Sequence, residues 1–269
     1  MKRSHGTTLV LFDVDGTLAV PSQKAAEKML TLLSELRRSH CIGLVGTGTY
    51  AHQEYQLGGP ALCANFDFVF SENGTHAFAN GREMHRHSVT AHLGPQRWAA
   101  FYASLTRMVE EEQPERARLL ELAKPGATLS ERGTFIDTRS GVVNICPIGR
   151  TPTLTKAERA TYEQADRDSG LRHRLMKRIL RELGPATEYR ISASIGGQIG
   201  IDLCPCGWDK TYCLRFIPEA AFPTVHFFGD KTVQILSRLS LARHACLCSE
   251  TLLYAPYCRS CAARGWQRL

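Results

Sequence analysis

The stretch Leu9–Leu18, which reads LVLFDVDGTL, decides the fold of this 269-residue chain. Its first four residues form an uninterrupted apolar run, which is typical of a strand buried on both faces of a parallel sheet. Asp13 and Asp15 follow directly. Side chains two positions apart lie on the same side of an extended chain, so the two carboxylates are expected to point in the same direction where the strand ends. Ligands of doubly wound sheets bind at this carboxyl edge. The stretch therefore predicts an α/β sheet with reactive carboxylates at the end of its first strand.

The same strand pattern recurs downstream. Cys41–Val45 is predicted as a second buried strand that ends in the loop Gly46-Thr47-Gly48-Thr49, and Phe66–Phe70 is predicted as a third strand. Between the first two runs, residues 22–39 have helical spacing, and Pro21-Ser22 is the predicted helix start. This strand-helix-strand order predicts a doubly wound α/β sheet.

The pattern changes near residue 86. Helical spacing over Gln96–Glu112 gives way to alternating, strand-like segments and a charged helical region over 156–183, which together predict an inserted α+β cap. The strand-like segments are Thr134–Arg139, Val142–Cys146 and Tyr189–Ile195. Val225–Phe228, followed by Gly229-Asp230, predicts a return to the first sheet. We expect a core made of residues 1–85 and 203–269 and a cap of residues 86–202.

Composition narrows the class of protein. With 43% apolar and 22% charged residues, the chain is predicted to be globular, and no apolar run is long enough for a membrane helix. Of the net charge of +7, residues 231–269 contribute six basic side chains and one acid, which leaves +2 for the rest. The sequence therefore favours neither a nucleic-acid partner nor a membrane partner. Without a secretory signal, a cytoplasmic location is expected, and an organelle matrix is the alternative.

Ten cysteines in such a chain are read as reduced thiols rather than as a disulfide framework. Four of them (Cys246, Cys248, Cys258 and Cys261) lie in the last 24 residues. Their spacing is poor for a single tetrahedral zinc ion, so enrichment without a metal site is the preferred interpretation.

The two aspartates of the opening stretch predict phosphoryl transfer. Mg²⁺ prefers hard oxygen ligands, and Asp13 together with the backbone around Asp15 can supply them. The metal offsets repulsion between the Asp13 carboxylate and a phosphate, so that Asp13 can attack phosphorus and form an acyl phosphate. Asp15 is placed to act as the acid/base. Gly16 permits the sharp turn, and Thr17 can offer a hydroxyl to the phosphate.

The string LFDVDGTL behind an apolar strand is the signature of the haloacid-dehalogenase superfamily. Further motifs, in the same order along the chain, resemble those of eukaryotic phosphomannomutases over about residues 8–232. They are Ser71–Gly74, Arg132–Phe135, Asn144–Arg150, Ser194–Ile199, Gly207–Lys210 and Phe227–Thr232.

The resemblance implies a Rossmann-like haloacid-dehalogenase core with an inserted α+β cap domain. It implies that Asp13 is the phosphorylated nucleophile, Asp15 the acid/base and Lys210 the lysine that holds the phosphoryl-aspartate. Asp13, Asp15 and Asp230 would hold Mg²⁺. In the cap, it implies that a set of arginines binds the substrate's second phosphate and that an aspartate contacts the sugar; these are Arg139, Arg150, Arg159 and Asp202.

The implied reaction interconverts mannose 6-phosphate and mannose 1-phosphate, with a hexose 1,6-bisphosphate as activator. Its product would supply GDP-mannose for protein glycosylation. Members of the family are usually homodimers that associate through the cap, so the same is expected here.

Several positions depart from the family pattern. Ser22 stands where an arginine is expected, and Gly48 and Gly200 each replace a serine, although Thr47 or Thr49 can supply a hydroxyl near position 48. After Asp230 the chain contains no aspartate, where the family continues with a Gly-Gly-Asn-Asp segment. We therefore hypothesise a frame change near codon 233. Two alternatives to an active mutase stay open: a sugar phosphatase, and a catalytically impaired paralogue that binds phosphosugars.

Overall fold

The computed structural model describes residues 8–59 and 65–230, together with the backbone of residues 246–248. The described residues fall into two compact units, of which one runs from His87 to Gly207 and the other consists of the residues on either side of it. The frame change hypothesised near codon 233 and Cys258 and Cys261 of the cysteine cluster lie outside the described residues, whereas Cys246 and Cys248 are described by their backbone alone. The apolar spacing of residues 233–245, which predicts a helix, and the weak peroxisomal-type ending Gln267-Arg268-Leu269 also lie outside the described residues.

The described residues form both strands and helices. In chain order the strands are β1 (Thr8–Phe12), β2 (Cys41–Val45), β3 (Phe68–Ser71), β4 (His76–Ala79), β5 (Arg82–Arg86), β6 (Ile136–Thr138), β7 (Val143–Ile145), β8 (Ile191–Gly196), β9 (Gly200–Pro205), β10 (Thr224–Phe228) and β11 (Cys246–Cys248). The α-helices are α1 (Glu27–Leu36), α2 (Tyr50–Leu57), α3 (Val89–Glu111), α4 (Gln113–Ala123), α5 (Lys156–Ser169) and α6 (Leu171–Leu183). In the described part of the chain, the short 3₁₀ helices are η1 (Glu72–Gly74), η2 (Leu129–Glu131) and η3 (Lys210–Phe216).

The first unit is built on a sheet with the strand order β11-β10-β1-β2-β3-β4-β5 among the described residues. The strands from β11 to β3 pair in parallel, and β4 and β5 add an antiparallel edge. The predicted doubly wound α/β core is therefore confirmed. The strand predicted as a return to the first sheet is β10, which pairs in parallel with β1.

Strand β1 is apolar from Leu9 to Phe12, because both of its faces are covered there. Val10 and Phe12 pack in one cluster with residues of α1, and Leu9 and Leu11 pack in another with Cys213 of η3 and the adjoining Ile217. These four side chains are at most 2% exposed. Burial of each such side chain contributes about 1.5–3 kcal/mol, so this strand fixes the centre of the unit and the position of the residues that follow it.

Three helix boundaries differ from the predictions. Helix α1 begins at Glu27 rather than Ser22, because Ser22 has a φ of 61° and donates its amide to the Asp15 carboxylate instead of starting a helix. Helix α3 begins at Val89, before the predicted Gln96, and is interrupted by a non-helical Gly94. The charged region 156–183 is two helices, since Gly170 ends α5 in the left-handed conformation.

The second unit contains an antiparallel sheet of order β6-β7-β9-β8 and the helices α3 to α6. Apolar and polar residues alternate along its strands, as expected for a sheet with one buried and one open face. Residues Val143, Ile145, Ile201 and Leu203 are fully buried. Asn144 and Asp202 occupy the intervening positions and pair across β7 and β9. No helix in the described part of the chain is long and apolar enough to cross a membrane.

Candidate active site

Asp13 lies immediately beyond β1, at the carboxyl edge of the parallel sheet. Phe12 of β1 pairs with Phe228 of β10, and the Asp13 amide donates to the Phe228 carbonyl at 2.8 Å. Asp230 follows β10 by two residues, so the two neighbouring strands bring Asp13 and Asp230 to the same edge. Only 4% of Asp13 is exposed.

The Asp13 carboxylate is held by two donors. Its Oδ1 accepts a hydrogen bond from the Val14 amide at 2.8 Å, and its Oδ2 contacts the Lys210 ammonium group. Burial raises the pKa of Asp13, and the nearby Asp230 carboxylate raises it further, while Lys210 and the Val14 amide offset part of the rise. The structure therefore brings together the predicted nucleophile, the predicted lysine and one predicted metal ligand.

Asp230 approaches the loop that follows Asp13. A Cβ added at Gly16 would lie 2.6 Å from the Asp230 Oδ2 atom, and Gly16 has a φ of +83°. A glycine is therefore required here, both for the turn and for the close approach of the carboxylate.

The donor atoms at this edge fit Mg²⁺. No group of three or more His, Cys, Asp or Glu side chains suited to a metal occurs in the described part of the chain. A coordination shell around the Asp13 and Asp230 carboxylates would need further oxygens, and that the backbone near Asp15 supplies one stays a prediction. Two carboxylates and a backbone oxygen are hard ligands of the kind that Mg²⁺ prefers, with water completing the shell.

Asp15 faces a different set of partners. Its Oδ1 accepts hydrogen bonds from the Gln56 side-chain amide at 2.9 Å and from the Ser22 amide at 3.2 Å. Gln56 is buried near the end of α2, and the sequence analysis did not identify it. The helix that carries Gln56 was not predicted from the sequence, so its buried side chain became visible only in the structure.

The loop after β2 lacks a side chain at the position where the family has a serine. A Cβ added at Gly48 would lie 3.2 Å from the ring of His52. Of the two predicted substitutes, Thr49 uses its hydroxyl to cap α2 by accepting from the His52 amide, and Thr47 is exposed. A hydroxyl is therefore present on this loop, although at neither position does it replace the missing serine directly.

Two of the predicted cap residues are joined through Asn144. The Arg150 guanidinium donates from Nε and Nη2 to the Asn144 Oδ1, and the Asn144 Nδ2 donates to Asp202 Oδ1 at 2.6 Å. Asp137 lies next to Asn144 across β6 and β7, and it accepts from Arg139 at 3.0 Å. Arg150 and Asp202 are thus joined through Asn144, which the sequence motifs did not single out as a site residue, and Arg139 binds the neighbouring Asp137 instead.

Close packing surrounds this network. A Cβ at Gly196 would lie 2.3 Å from Asp202 Oδ2, and one at Gly200 would lie 2.6 Å from the Asn144 Nδ2. A serine at position 200 would therefore displace Asn144 from its present place. Arg159 lies on α5, where its buried Nε has no hydrogen-bond partner among the described residues, and none of the described contacts joins it to the other three.

Comparisons with known proteins agree with these motifs. A family model described as eukaryotic phosphomannomutase matches residues 29–236. The chain is 37% identical to the phosphomannomutase of Saccharomyces cerevisiae over 226 residues, which is 84% of this chain and 81% of that protein. It is 38% identical to the phosphomannomutase of Galdieria sulphuraria over 225 residues, with the same coverage of 84% and 81%.

Among solved structures, a trehalose-6-phosphate phosphatase related protein is similar with a TM-score of 0.50 at 16% identity, covering 93% of this chain and 90% of that one. This likeness concerns the fold alone. The family match spans most of the chain, and the sequence relatives are similar over more than four-fifths of their length. The chain belongs to the eukaryotic phosphomannomutase family.

Proposed function

We propose that this protein is a Mg²⁺-dependent phosphomannomutase that interconverts mannose 6-phosphate and mannose 1-phosphate through a phospho-aspartate at Asp13. The observation that carries the proposal is the contact of the buried Asp13 carboxylate with Lys210 at the end of β1, in a chain of this family. A buried carboxylate beside a fixed ammonium group is oriented for attack, and the cation can stabilise the charge that accumulates on the transferred phosphoryl group.

The reaction needs one nucleophile and one acid/base. Asp13 attacks a phosphoryl group of a hexose 1,6-bisphosphate, the bond between phosphorus and the sugar oxygen breaks, and Asp15 donates a proton to that oxygen. Mannose 6-phosphate then gives the proton of its 1-hydroxyl to Asp15 and takes the phosphoryl group from Asp13. The resulting bisphosphate rebinds in the opposite orientation and returns its 6-phosphoryl group to Asp13, which releases mannose 1-phosphate.

Two groups support these steps. Lys210 holds the phosphorylated Asp13, and Gln56 fixes one oxygen of Asp15 so that the other is available for proton transfer. Mg²⁺, held by the Asp13 and Asp230 carboxylates and the backbone of Asp15, would neutralise charge between the carboxylate and the phosphate.

The cap residues are proposed to recognise the part of the substrate that does not react. A mutase binds a bisphosphate in two orientations, so it needs fixed cations for the second phosphate, and arginine suits this role because it donates in a planar fork. Arg139, Arg150 and Arg159 are proposed for the phosphate and Asp202 for the sugar. The hydrogen bonds of Arg150 and Asp202 to Asn144 support a preformed arrangement.

A catalytically impaired paralogue is the second candidate. It is favoured by the absence of a side chain at Gly48 and by Ser22, which contributes only its amide to the Asp15 environment. Loss of a hydrogen bond to a charged phosphate costs about 1.5–3 kcal/mol. A sugar phosphatase, in which water discharges Asp13, is the third candidate.

One assay separates the three. Purified protein is incubated with mannose 1-phosphate, Mg²⁺ and glucose 1,6-bisphosphate, and both mannose 6-phosphate and free phosphate are followed. Mannose 6-phosphate supports the mutase, free phosphate alone supports the phosphatase, and neither product supports the impaired paralogue. Asp13→Asn must abolish any turnover, whereas Asp168→Asn, which changes an exposed aspartate of α5, must not.

The remaining proposals concern the use of the product, the location of the protein and its oligomeric state. We propose that the product supplies GDP-mannose synthesis and glycosylation, that the protein acts in the cytoplasm and that it is a homodimer through its cap. Light scattering of the full chain checks the dimer, and a monomer at micromolar concentration would contradict it.

A further inference from the structure

The turn after β3 has an unusual backbone. Glu72, Asn73 and Gly74 have φ values of 49°, 62° and 94°, so three successive residues occupy the left-handed region. Residues other than glycine adopt this region at a cost, and they keep it only where the surrounding structure enforces it. Glu72 and Gly74 are buried, so the turn is held from more than one side.

One side of the turn holds the loop after β2. The Glu72 amide donates to the Gly48 carbonyl at 3.0 Å, and the Asn73 amide donates to the Gly46 carbonyl at 2.8 Å. The turn thereby fixes the loop in which the family's phosphate-binding serine is replaced.

The other side contacts the segment that carries Lys210. The side-chain Nδ2 of Asn73 donates to the Trp208 carbonyl at 3.3 Å. A Cβ at Gly74 would lie 3.0 Å from the Cβ of Cys213, so η3 packs directly on the turn. The Cys213 thiol in turn donates to the Lys210 carbonyl at 3.0 Å. Contacts from the turn therefore reach the chain on both sides of Lys210.

A lysine side chain is long and has many rotamers, so the place of its ammonium group depends on where its backbone is fixed. Lys210 is the first residue of η3, and the preceding strand β9 ends at Pro205. The bond from Asn73 to Trp208 lies between the end of β9 and Lys210. It fixes the backbone two residues before the lysine.

We propose that Asn73 is a positioning residue for Lys210: its side chain anchors the Trp208 carbonyl and thereby aligns the lysine with Asp13. The inference rests on the proposed function in so far as Lys210 holds the phosphorylated Asp13. The Oδ1 atom of Asn73 is buried and has no hydrogen-bond partner among the described residues, so Nδ2 is the end of the amide that bonds the protein.

The competing explanation is that asparagine is present only because it tolerates a positive φ. Asn73→Gly separates the two explanations, since glycine adopts this backbone freely but lacks the donor. Asn73→Asp is the second variant, because it keeps the shape and replaces the donor with an acceptor. Asn80 is a matched control: it is exposed, it has a φ of 49°, and it lies in the turn between β4 and β5 of the same unit.

The first measurement is steady-state kinetics of the full chain. Asn73→Gly is expected to lower kcat by about tenfold to a hundredfold, as for a misplacement of about 1 Å at a reacting group, with KM within about twofold of wild type. Asn80→Gly and Asn80→Asp are expected to leave both constants unchanged. In a Lys210→Ala background, Asn73→Gly is expected to cost less than about twofold, because the two residues act through one group.

An equal loss of kcat in the wild-type and Lys210→Ala backgrounds, or an unchanged kcat, overturns the proposal.

Crystal structures of wild type and Asn73→Gly give a readout that does not need activity. The Lys210 ammonium group is expected to leave Asp13, and an unchanged contact overturns the inference. If wild type shows no mutase activity, the proposed function fails, and the crystal structures alone decide the role of Asn73. If Asn73→Gly does not fold, as measured by thermal unfolding, Asn73→Asp is judged by the same criteria.

Discussion

Lys210 and Asp13 are in contact although 197 positions separate them in the sequence. The contact exists because β10, which follows Lys210, pairs in parallel with β1 and returns the chain to the edge where Asp13 lies. The lysine is 19% exposed at its side chain and the aspartate 6%, so water screens the pair only weakly. This geometry is the basis of the first prediction.

Lys210→Ala is expected to lower kcat by about 10²–10³, the range observed when one stabilising donor is removed from an active site. The reason is the loss of the cation that offsets charge on the phosphorylated Asp13. Coupled assay of mannose 1-phosphate conversion measures the effect. Lys28→Ala, which removes an exposed lysine of α1, is the control and should retain wild-type activity. A loss below threefold for Lys210→Ala would contradict the role of this lysine.

Gln56→Met is expected to lower kcat by about tenfold, because Asp15 loses the hydrogen bond that fixes one of its oxygens. The control is Gln53→Met in the same helix. Gln53 is equally buried, but it bonds the Phe70 carbonyl and the Ser71 hydroxyl rather than Asp15. Both variants should lose stability in thermal unfolding, and only Gln56→Met should lose kcat beyond what its unfolded fraction explains. Parallel losses in the two variants would assign Gln56 a structural role alone.

Asn144→Leu is expected to raise KM for the sugar phosphate by about tenfold or more, since Arg150 and Asp202 both lose the side chain that orients them. Steady-state kinetics with mannose 1-phosphate gives the constant. Thr138→Ala, at an exposed position of β6, serves as the control. An unchanged KM would mean that Arg150 does not need Asn144 to bind its ligand.

Gly48→Ser is expected to raise kcat/KM by up to about tenfold, because it restores a hydroxyl to the loop after β2. The added Cβ needs His52 to move by a few tenths of an ångström, and Gly48 does not have a positive φ, so the backbone accepts a side chain. The measurement is the ratio of kcat/KM in the variant to that in wild type. A decrease would show that the present loop does not leave room for the phosphate and a serine together.

The buried pair Arg37–Asp67 predicts a pH dependence of stability. Burial acts to raise the pKa of Asp67, but hydrogen bonds from Arg37 and from the Ile42 amide outweigh it, and the pKa is lowered. A carboxyl whose pKa is lower in the folded state stabilises that state above its unfolded pKa of about 3.9 and loses this contribution as pH falls through the folded value.

Asp67→Asn is therefore expected to lower the free energy of unfolding by about 1–3 kcal/mol at pH 7, and the difference from wild type should shrink below about pH 4. Urea unfolding at a series of pH values measures it. Asp168→Asn should show no such difference at any pH. A difference in the free energy of unfolding between Asp67→Asn and wild type that stays constant down to pH 3 would mean that the Asp67 charge does not provide the stabilisation.

The sequence predicts those features of the fold and the site that depend on residues close together in the chain. The apolar strands and the nucleophile loop follow from adjacent residues, and the structure confirms the α/β core. The helix start at Ser22 was wrong because the backbone there is used by Asp15 and by the Gln56 carbonyl, which accepts from Ala25. Asp15 and Gln56 both lie outside residues 22–39, whose apolar spacing predicted the helix.

The sequence by itself determined the nucleophile loop, since an apolar strand that ends in LFDVDGTL carries its chemistry in consecutive residues. Its motifs also identified the family. Only the tertiary structure decided which side chains fix the reactive groups: Gln56 against Asp15, Asn144 between Arg150 and Asp202, and Asn73 against Trp208. These bonds join residues from different strands and loops. A polar side chain acquires such a partner only when the packing of the apolar strands brings distant segments together.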